Sequence, residues 1–185
     1  MQHVSGIPAE QALELLKKGN RLFLDTGLDN GNYSKDRMVE TAENGQHPYA
    51  VIISCSDSRV IPEAIFSAGI GDLFVIRTAG NTIDEASLGS IEYAVEHLGC
   101  NLVVVMGHTN CGAVKSALHG HTGFKVQSIL DKINYAAGDE TDPMKVTELN
   151  AIQSVNIISE DLKMDEGVDV IAAIYDIHDG SVRFL

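Results

Sequence analysis

The sequence predicts an α/β domain with a mainly parallel β-sheet flanked by helices. Three short and almost wholly apolar runs are typical of strands buried on both faces, which is common in parallel sheets, and they lie at 49–54, 73–77 and 99–107. Between the second and third runs, residues 85–98 place Leu88, Ile91 and Val95 at helical spacing. A strand, a helix and another strand in succession form the repeating unit of a parallel sheet.

The remaining elements follow from the same patterns. Residues 8–25 begin with Pro8, a good first residue of a helix, and carry apolar side chains at helical spacing. The second half of the chain predicts two helices and a closing hairpin, at 126–137, at 144–163 and at 168–176 with 181–184. The apolar face of the later helix is expected to contain Val146, Leu149, Ile152, Val155, Ile158 and Leu162.

Length and charge limit the function classes. The chain has 185 residues and 44% hydrophobic residues, which predicts one domain over 1–185 with a core of ordinary size. Its formal net charge of -13 disfavours nucleic acid and anionic membranes as partners. No apolar stretch is long enough to cross a bilayer, and the N-terminus lacks the pattern of a signal peptide. We therefore expect a cytoplasmic protein with no nucleic-acid or membrane partner.

Reactive side chains follow two of the predicted strands. Cys55 comes directly after the first run, and His108 and Cys111 follow the third. The carboxyl ends of parallel strands meet at one edge of a sheet, where ligands bind. Two thiolates and one imidazole suit zinc and leave a fourth position for water. The alternative is that both cysteines are buried core residues and that the histidine only satisfies backbone groups, and the residues alone leave both interpretations open.

Asp57 and Arg59 lie beside the first of these cysteines. An aspartate next to a metal can ligate it, accept a proton from bound water or hold a substrate hydroxyl. Arg59 can fix that carboxylate by paired hydrogen bonds and keep it ionised. A structural ion pair at the start of a loop is the alternative. Neither a glycine-rich phosphate loop nor a serine nucleophile elbow is present.

Several linked motifs resemble those of the β-class carbonic anhydrases. They are Cys-Ser-Asp-Ser-Arg at 55–59, Gly-Asp-Leu-Phe-Val-Ile-Arg at 71–77, Ala-Gly-Asn at 79–81, Glu-Tyr-Ala-Val at 92–95 and Gly-His-Thr-Asn-Cys-Gly at 107–112. The resemblance implies zinc on Cys55, His108 and Cys111. It also implies the reversible hydration of CO₂ to bicarbonate and a proton, by attack of zinc-bound hydroxide.

The resemblance also assigns roles around the zinc. Asp57 and Arg59 match a pair that orients the attacking water or bicarbonate, and the aspartate takes the fourth zinc position in a silent state of the family. Contacts with substrate are implied for Gln46, Phe74, Ala79, Tyr93 and Gly112. The family builds its site at a dimer interface, with the N-terminal helix wrapped over the partner. A homodimer, or a multiple of it, is therefore expected.

Two departures from the family pattern stand out. Residue 78 is Thr where the family usually has Asn, and Ile52 stands where one bacterial subgroup has a regulatory Trp. A change of substrate to COS or CS₂ on the same fold is an alternative function. A catalytically silent protein that binds zinc or bicarbonate is another, against which the Asp57–Arg59 pair argues.

Overall fold

The computed structural model describes residues 6–163 and 166–185 and contains one five-stranded sheet. Residues 1–5, on which the signal-peptide prediction partly rests, lie outside the described residues. The strands are β1 (Ala50–Cys55), β2 (Leu73–Thr78), β3 (Leu102–His108), β4 (Asp169–Tyr175) and β5 (Val182–Phe184). Their order is β2-β1-β3-β4-β5, with the first four parallel and the last antiparallel. The predicted α/β class and the closing hairpin are confirmed.

Seven helices within the described residues surround this sheet. They are α1 (Ala9–Thr26), α2 (Lys35–Asn44), α3 (Pro62–Ile65), α4 (Glu85–Leu98), α5 (Gly112–Leu118), α6 (Gln127–Ala137) and α7 (Pro143–Leu162). Side-chain caps begin α2, α4 and α7; at the start of α4, the Asp84 carboxylate accepts from the backbone N–H of Ser87. Helix α2 was not predicted from the sequence; it buries no residue, and its apolar side chains Met38 and Val39 are exposed. No described helix is long and apolar enough to cross a membrane.

The core lies on both faces of the central strands. On one face, Val51, Ile53 and Val105 pack against α4 and α7. On the other, Ile52 and Val104 pack against α1 and α3. Strands β1 and β3 are buried throughout, as predicted. The prediction of burial on both faces is wrong for β2, which is half-buried because it forms the edge of the sheet and pairs only with β1.

Helix α1 carries apolar residues on more than its buried side. Ala12 and Leu16 are completely buried against the sheet. Leu15 and Leu22, which share the predicted apolar pattern, are 43% and 42% exposed. One face of this helix therefore belongs to the core of its own chain, and a neighbouring apolar strip remains exposed.

The predicted buried face of α7 is partly wrong. Leu149 and Ile152 are exposed, although Val146 and Ile158 are buried as expected. Asn150 and Ser154 are buried instead. The Asn150 amide donates to the Gly80 carbonyl at 2.8 Å, and the Ser154 hydroxyl lies 3.4 Å from the Asn81 carbonyl. This face of α7 is polar because it satisfies the backbone of a turn at Ala79–Asn81.

Candidate metal centre

Cys55, His108 and Cys111 come together at the carboxyl edge of the sheet. Cys55 ends β1, His108 ends β3, and Cys111 immediately precedes α5. Their Sγ and imidazole nitrogen atoms all lie within 4.8 Å of one another, and all three residues are buried. A tetrahedral zinc ion with these donors holds them roughly 3.5–3.8 Å apart, given bonds of about 2.3 Å to sulfur and 2.0 Å to nitrogen. Small side-chain movements would thus close the cluster around an ion.

The imidazole of His108 has the tautomer that a metal needs. Its Nδ1 lies 3.0 Å from the carbonyl oxygen of Thr109. A carbonyl only accepts, so Nδ1 carries the hydrogen and Nε2 presents its lone pair to the cluster. Among the described residues, this buried Nε2 has no hydrogen-bond partner. Because a buried unpaired nitrogen is costly, the histidine fits a bound metal better than it fits an empty site.

The two thiols of the cluster influence each other. A hydrogen bond between them lowers the pKa of Cys55 and raises the pKa of Cys111. The backbone N–H of Gly80 also donates to Cys55 Sγ at 3.2 Å. A positive φ of 65° at Gly80 allows this approach, and a side chain there would meet Ile133 and Ala113. This donor was not predicted from the sequence, although the Ala-Gly-Asn motif at 79–81 contains it.

The third cysteine of the chain has a different environment. Cys100 is completely buried and lies outside the cluster. Burial raises its pKa to about 12, and its thiol lies 3.3 Å from the Pro48 carbonyl. Cys100 is therefore a core thiol. A substitution there is a control for substitutions of the two cysteines in the cluster.

Asp57 and Arg59 form a two-point ion pair beside the cluster. The guanidinium donates from Nε to Oδ1 at 2.9 Å and from Nη2 to Oδ2 at 2.7 Å. These bonds hold the pKa of the Asp57 carboxyl well below its usual range, so the group is ionised at neutral pH. Asp57 Oδ2 lies 3.8 Å from His108 Nε2. The carboxylate therefore faces the donor atoms rather than open solvent.

Arg77 shapes the loop that carries this pair. From the end of β2 its Nη2 donates to the carbonyl oxygens of Asp57 and Val60, each at 2.8 Å. These two bonds fix the backbone turn between β1 and α3. No role for Arg77 was predicted from the sequence, although a charged residue near the end of an apolar strand is a signal for one.

The five residues expected to contact substrate fall into two groups. Ala79 follows Thr78, the residue paired with Cys55, and Gly112 follows Cys111, so both lie beside the cluster. Gln46, Phe74 and Tyr93 do not: Gln46 precedes β1, and Phe74 lies four residues before Thr78, roughly 13 Å along the strand. The rings of Phe74 and Tyr93 approach each other, with centroids 6.3 Å apart.

The two departures from the family pattern are both accommodated locally. Thr78 donates its hydroxyl hydrogen to the Thr82 carbonyl at 2.7 Å, which ties the end of β2 to the turn after it. Ile52 is completely buried in the core on the α1 side of the sheet.

Comparisons with known proteins agree with this geometry. The family model described as carbonic anhydrase matches residues 50–182. The carbonic anhydrase of Mycolicibacterium smegmatis is 39% identical over 161 residues, covering 83% of this chain and 77% of that protein. Carbonic anhydrase 2 of Mycobacterium tuberculosis is 51% identical over 107 residues, covering 58% of this chain and 51% of that relative, so the match spans about half its length.

A solved structure shows the same fold. The β-carbonic anhydrase CafA of Aspergillus fumigatus superposes with a TM-score of 0.73 at 28% identity, covering 95% of this chain and 89% of that one. The fold and the site define an α/β protein with a mainly parallel sheet and a Cys-His-Cys group at its carboxyl edge that could hold a metal. The chain belongs to the β-class carbonic anhydrase family.

Proposed function

We propose that this protein is a zinc enzyme that hydrates CO₂ reversibly to bicarbonate and a proton. One observation carries the proposal: the buried donors of Cys55, His108 and Cys111 converge beside the ionised carboxylate of Asp57. Zinc would be held by the two Sγ atoms and by His108 Nε2. When bound there, it would supply a Lewis acid that lowers the pKa of water at the site.

Asp57 and Arg59 are the proposed catalytic residues. The Asp57 carboxylate can accept a hydrogen bond from the attacking water and so direct its lone pair towards CO₂. Arg59 holds both carboxylate oxygens, keeps the group ionised and limits its rotation. With both oxygens engaged by Arg59, the geometry favours a state in which Asp57 leaves the fourth position of the metal open.

The environment of the cluster suits a neutral, apolar substrate. Cys55 and Cys111 belong to an apolar cluster with Val114, Leu130 and Ile133, which are buried residues of α5 and α6. CO₂ has no net charge or dipole, so an apolar wall holds it without losing hydrogen bonds to water. The proposed substrate contacts beside the cluster are Ala79, which follows the strand partner of Cys55, and the backbone N–H of Gly112, which follows Cys111.

The proposed enzyme is a homodimer or a multiple of it. Gln46, Phe74 and Tyr93 lie towards the opposite end of the strands from Cys55, so one chain does not gather all proposed substrate contacts at its own cluster. A second copy can supply them. The exposed apolar strip of α1, with Leu15 and Leu22, is the proposed surface that packs on this partner.

A purely structural zinc site is the weaker alternative. Structural zinc normally has four protein ligands, whereas the metal-site group found among the described residues has three. The fourth neighbour, Asp57, is engaged by Arg59 instead.

The test compares zinc content and two activities in the same preparations. We expect one zinc per chain and CO₂ hydration well above the buffer rate, with little sulfide released from COS. A Cys55→Ser variant should lose zinc and activity together, whereas Cys100→Ala, which changes an equally buried thiol outside the cluster, should keep both. Sulfide release without CO₂ hydration would instead assign the COS-hydrolase function.

A further inference from the structure

The loop that carries two of the proposed metal ligands is tied to a distant turn by one side chain. Thr109, between His108 and Cys111, donates its hydroxyl hydrogen to Asp176 Oδ1 at 3.1 Å. The same hydroxyl oxygen accepts from the backbone N–H of Ile177 at 3.1 Å. These contacts join segments 67 and 68 positions apart in the chain.

Asp176 is itself held rigidly by the β4–β5 turn. Its backbone N–H donates to the Ser181 carbonyl at 2.8 Å, and its carbonyl accepts from Gly180 at 2.9 Å. Its Oδ1 also accepts from the backbone N–H of His178 at 2.8 Å. The carboxylate is therefore a fixed acceptor, placed by the hairpin rather than by the loop that it contacts.

Thr109 connects Asp176 to His108 through its backbone carbonyl. Its carbonyl oxygen accepts the Nδ1–H of His108 at 3.0 Å, the bond that sets the tautomer of that ring. The Thr109 backbone N–H donates to the Tyr175 carbonyl at 3.0 Å, so the hydroxyl bond is the second anchor of the same residue. The backbone bond to Tyr175 and the hydroxyl bond to Asp176 together hold Thr109 in place. They thereby fix the position of the Thr109 carbonyl, which accepts the Nδ1–H of His108.

The outer side of this loop borders a cavity. The cavity has a volume of about 420 Å³ and is lined by Thr109, Asn110, Cys111, Asp176 and His178 among others. Asn110 also has a positive φ of 59°, an unusual backbone conformation for a residue other than glycine. A loop that is open on one side and carries such a residue depends on its hydrogen bonds to keep one conformation.

We propose that Asp176 is a positioning residue of the metal centre, which acts through Thr109 to orient His108 Nε2 towards the ion. The inference rests on the proposed metal site, but not on the identity of the substrate. Outer-shell partners of metal-bound histidines typically contribute 10–100-fold to metal affinity. Asp176 differs from such partners in that the peptide of Thr109 stands between the carboxylate and the ring.

The test measures metal binding alone, by competition of Zn²⁺ with a chelator and by the visible spectrum of the Co²⁺-loaded protein. We expect Asp176→Ala to weaken Zn²⁺ binding about 10-fold and to shift the Co²⁺ bands, which report ligand geometry. Asp179→Ala is the matched control: this carboxylate accepts from Ser181 in the same turn and has no bond to Thr109. It should leave the affinity and the spectrum unchanged.

A second pair of variants tests the same link from the loop. Thr109→Val removes the hydroxyl at nearly constant shape and should reproduce the effect of Asp176→Ala, whereas Thr109→Ser keeps the hydroxyl and should restore binding. Equal Zn²⁺ affinity and equal Co²⁺ spectra for Thr109→Val and Thr109→Ser would overturn the inference, even if Asp176→Ala fails to fold. Wild-type protein that binds neither metal would overturn the proposed metal site as well, so the two failures can be told apart.

Discussion

The Oδ2 atom of Asp57 lies 3.8 Å from Nε2 of His108. That nitrogen is the ring atom of His108 for which no hydrogen-bond partner exists among the described residues. A fully ionised carboxylate and an unpaired imidazole lone pair thus face the same small volume, together with two thiols. A carboxylate, an imidazole nitrogen and two thiols gathered in this way are typical of a site that binds a metal cation.

Asp57→Asn tests whether the carboxylate takes part in the reaction. The amide keeps the shape of the side chain, but it has only one oxygen that can accept hydrogen bonds and it carries no charge. We expect CO₂ hydration to fall by about 10²–10⁴-fold while zinc content stays at one per chain. Asp179→Asn, in the exposed turn before β5, is the control and should keep the full rate; an Asp57→Asn enzyme that also kept it would remove Asp57 from the mechanism.

Arg59→Ala tests the electrostatic role of the partner. Hydrogen bonds from Arg59 are the main reason why the pKa of Asp57 is lowered, so the variant should raise that pKa towards its usual value near 3.9. Asp57 should therefore take up its proton at a higher pH in the variant than in the wild type. An NMR titration of the Asp57 carboxyl carbon in both proteins measures this shift, which falls below the pH range over which the hydration rate is expected to change.

The matched control for that variant is Arg183→Ala. Arg183 pairs with Glu148 and is about as exposed as Arg59, with 57% against 53% of the side chain accessible. Its removal should leave the pKa of Asp57 unchanged. The same linkage predicts a stability effect: a lowered pKa in the folded state stabilises the protein above the unfolded value, and this contribution is lost as pH falls. Unchanged acid unfolding of Arg59→Ala would count against the linkage.

A composite site predicts complementation between two inactive chains. Cys55→Ser and Gln46→Ala chains should each form inactive homodimers. In a mixed dimer, the Gln46→Ala chain contributes an intact metal cluster and the Cys55→Ser chain contributes an intact Gln46, so one complete site is restored. Co-expression with two affinity tags, followed by hydration assays of the purified mixed dimer, measures this. If each site uses Gln46 of its own chain, the mixed dimer will be as inactive as its parents.

Helix α1 gives a separate prediction about assembly. The double substitution Leu15→Glu with Leu22→Glu places charges on the exposed apolar strip and should convert the proposed oligomer to folded monomers. Sedimentation velocity measures the assembly, and thermal unfolding shows whether the chains remain folded. Deletion of residues 1–30 is a poorer test, because it also removes the buried Ala12 and Leu16. Phe124→Glu, at a side chain outside α1 that is 93% exposed, is the control. An oligomer that survives the double substitution would exclude α1 from the interface.

Periodicity predicted the parts of this fold that are governed by apolar burial. The runs around β1 and β3 and the apolar face of α4 needed no knowledge of the rest of the chain. It failed for α7, where Asn150 is buried because it bonds to Gly80, 70 positions earlier. It also missed α2, a ten-residue helix that buries none of its side chains.

The site shows the same division between local and distant signals. The Cys55, Asp57 and Arg59 segment could be identified because its residues lie within one loop after one strand. The contact between Thr109 and Asp176 could not, since it depends on how β4 pairs with β3. The residues next to Thr109 in the sequence give no indication that its hydroxyl bonds to a carboxylate 67 positions later.

The most direct test of the central claim is the rate of CO₂ hydration by zinc-loaded protein, measured by stopped flow from pH 6.5 to 9. Two thiolates cancel the formal charge of Zn²⁺, so water at the site should ionise about 1 pH unit or more above the pKa near 7 of all-histidine sites. We predict a rate far above that of buffer, rising with pH over this range and absent from Cys55→Ser. A zinc-loaded wild-type protein with no rate above buffer at any pH would contradict the account.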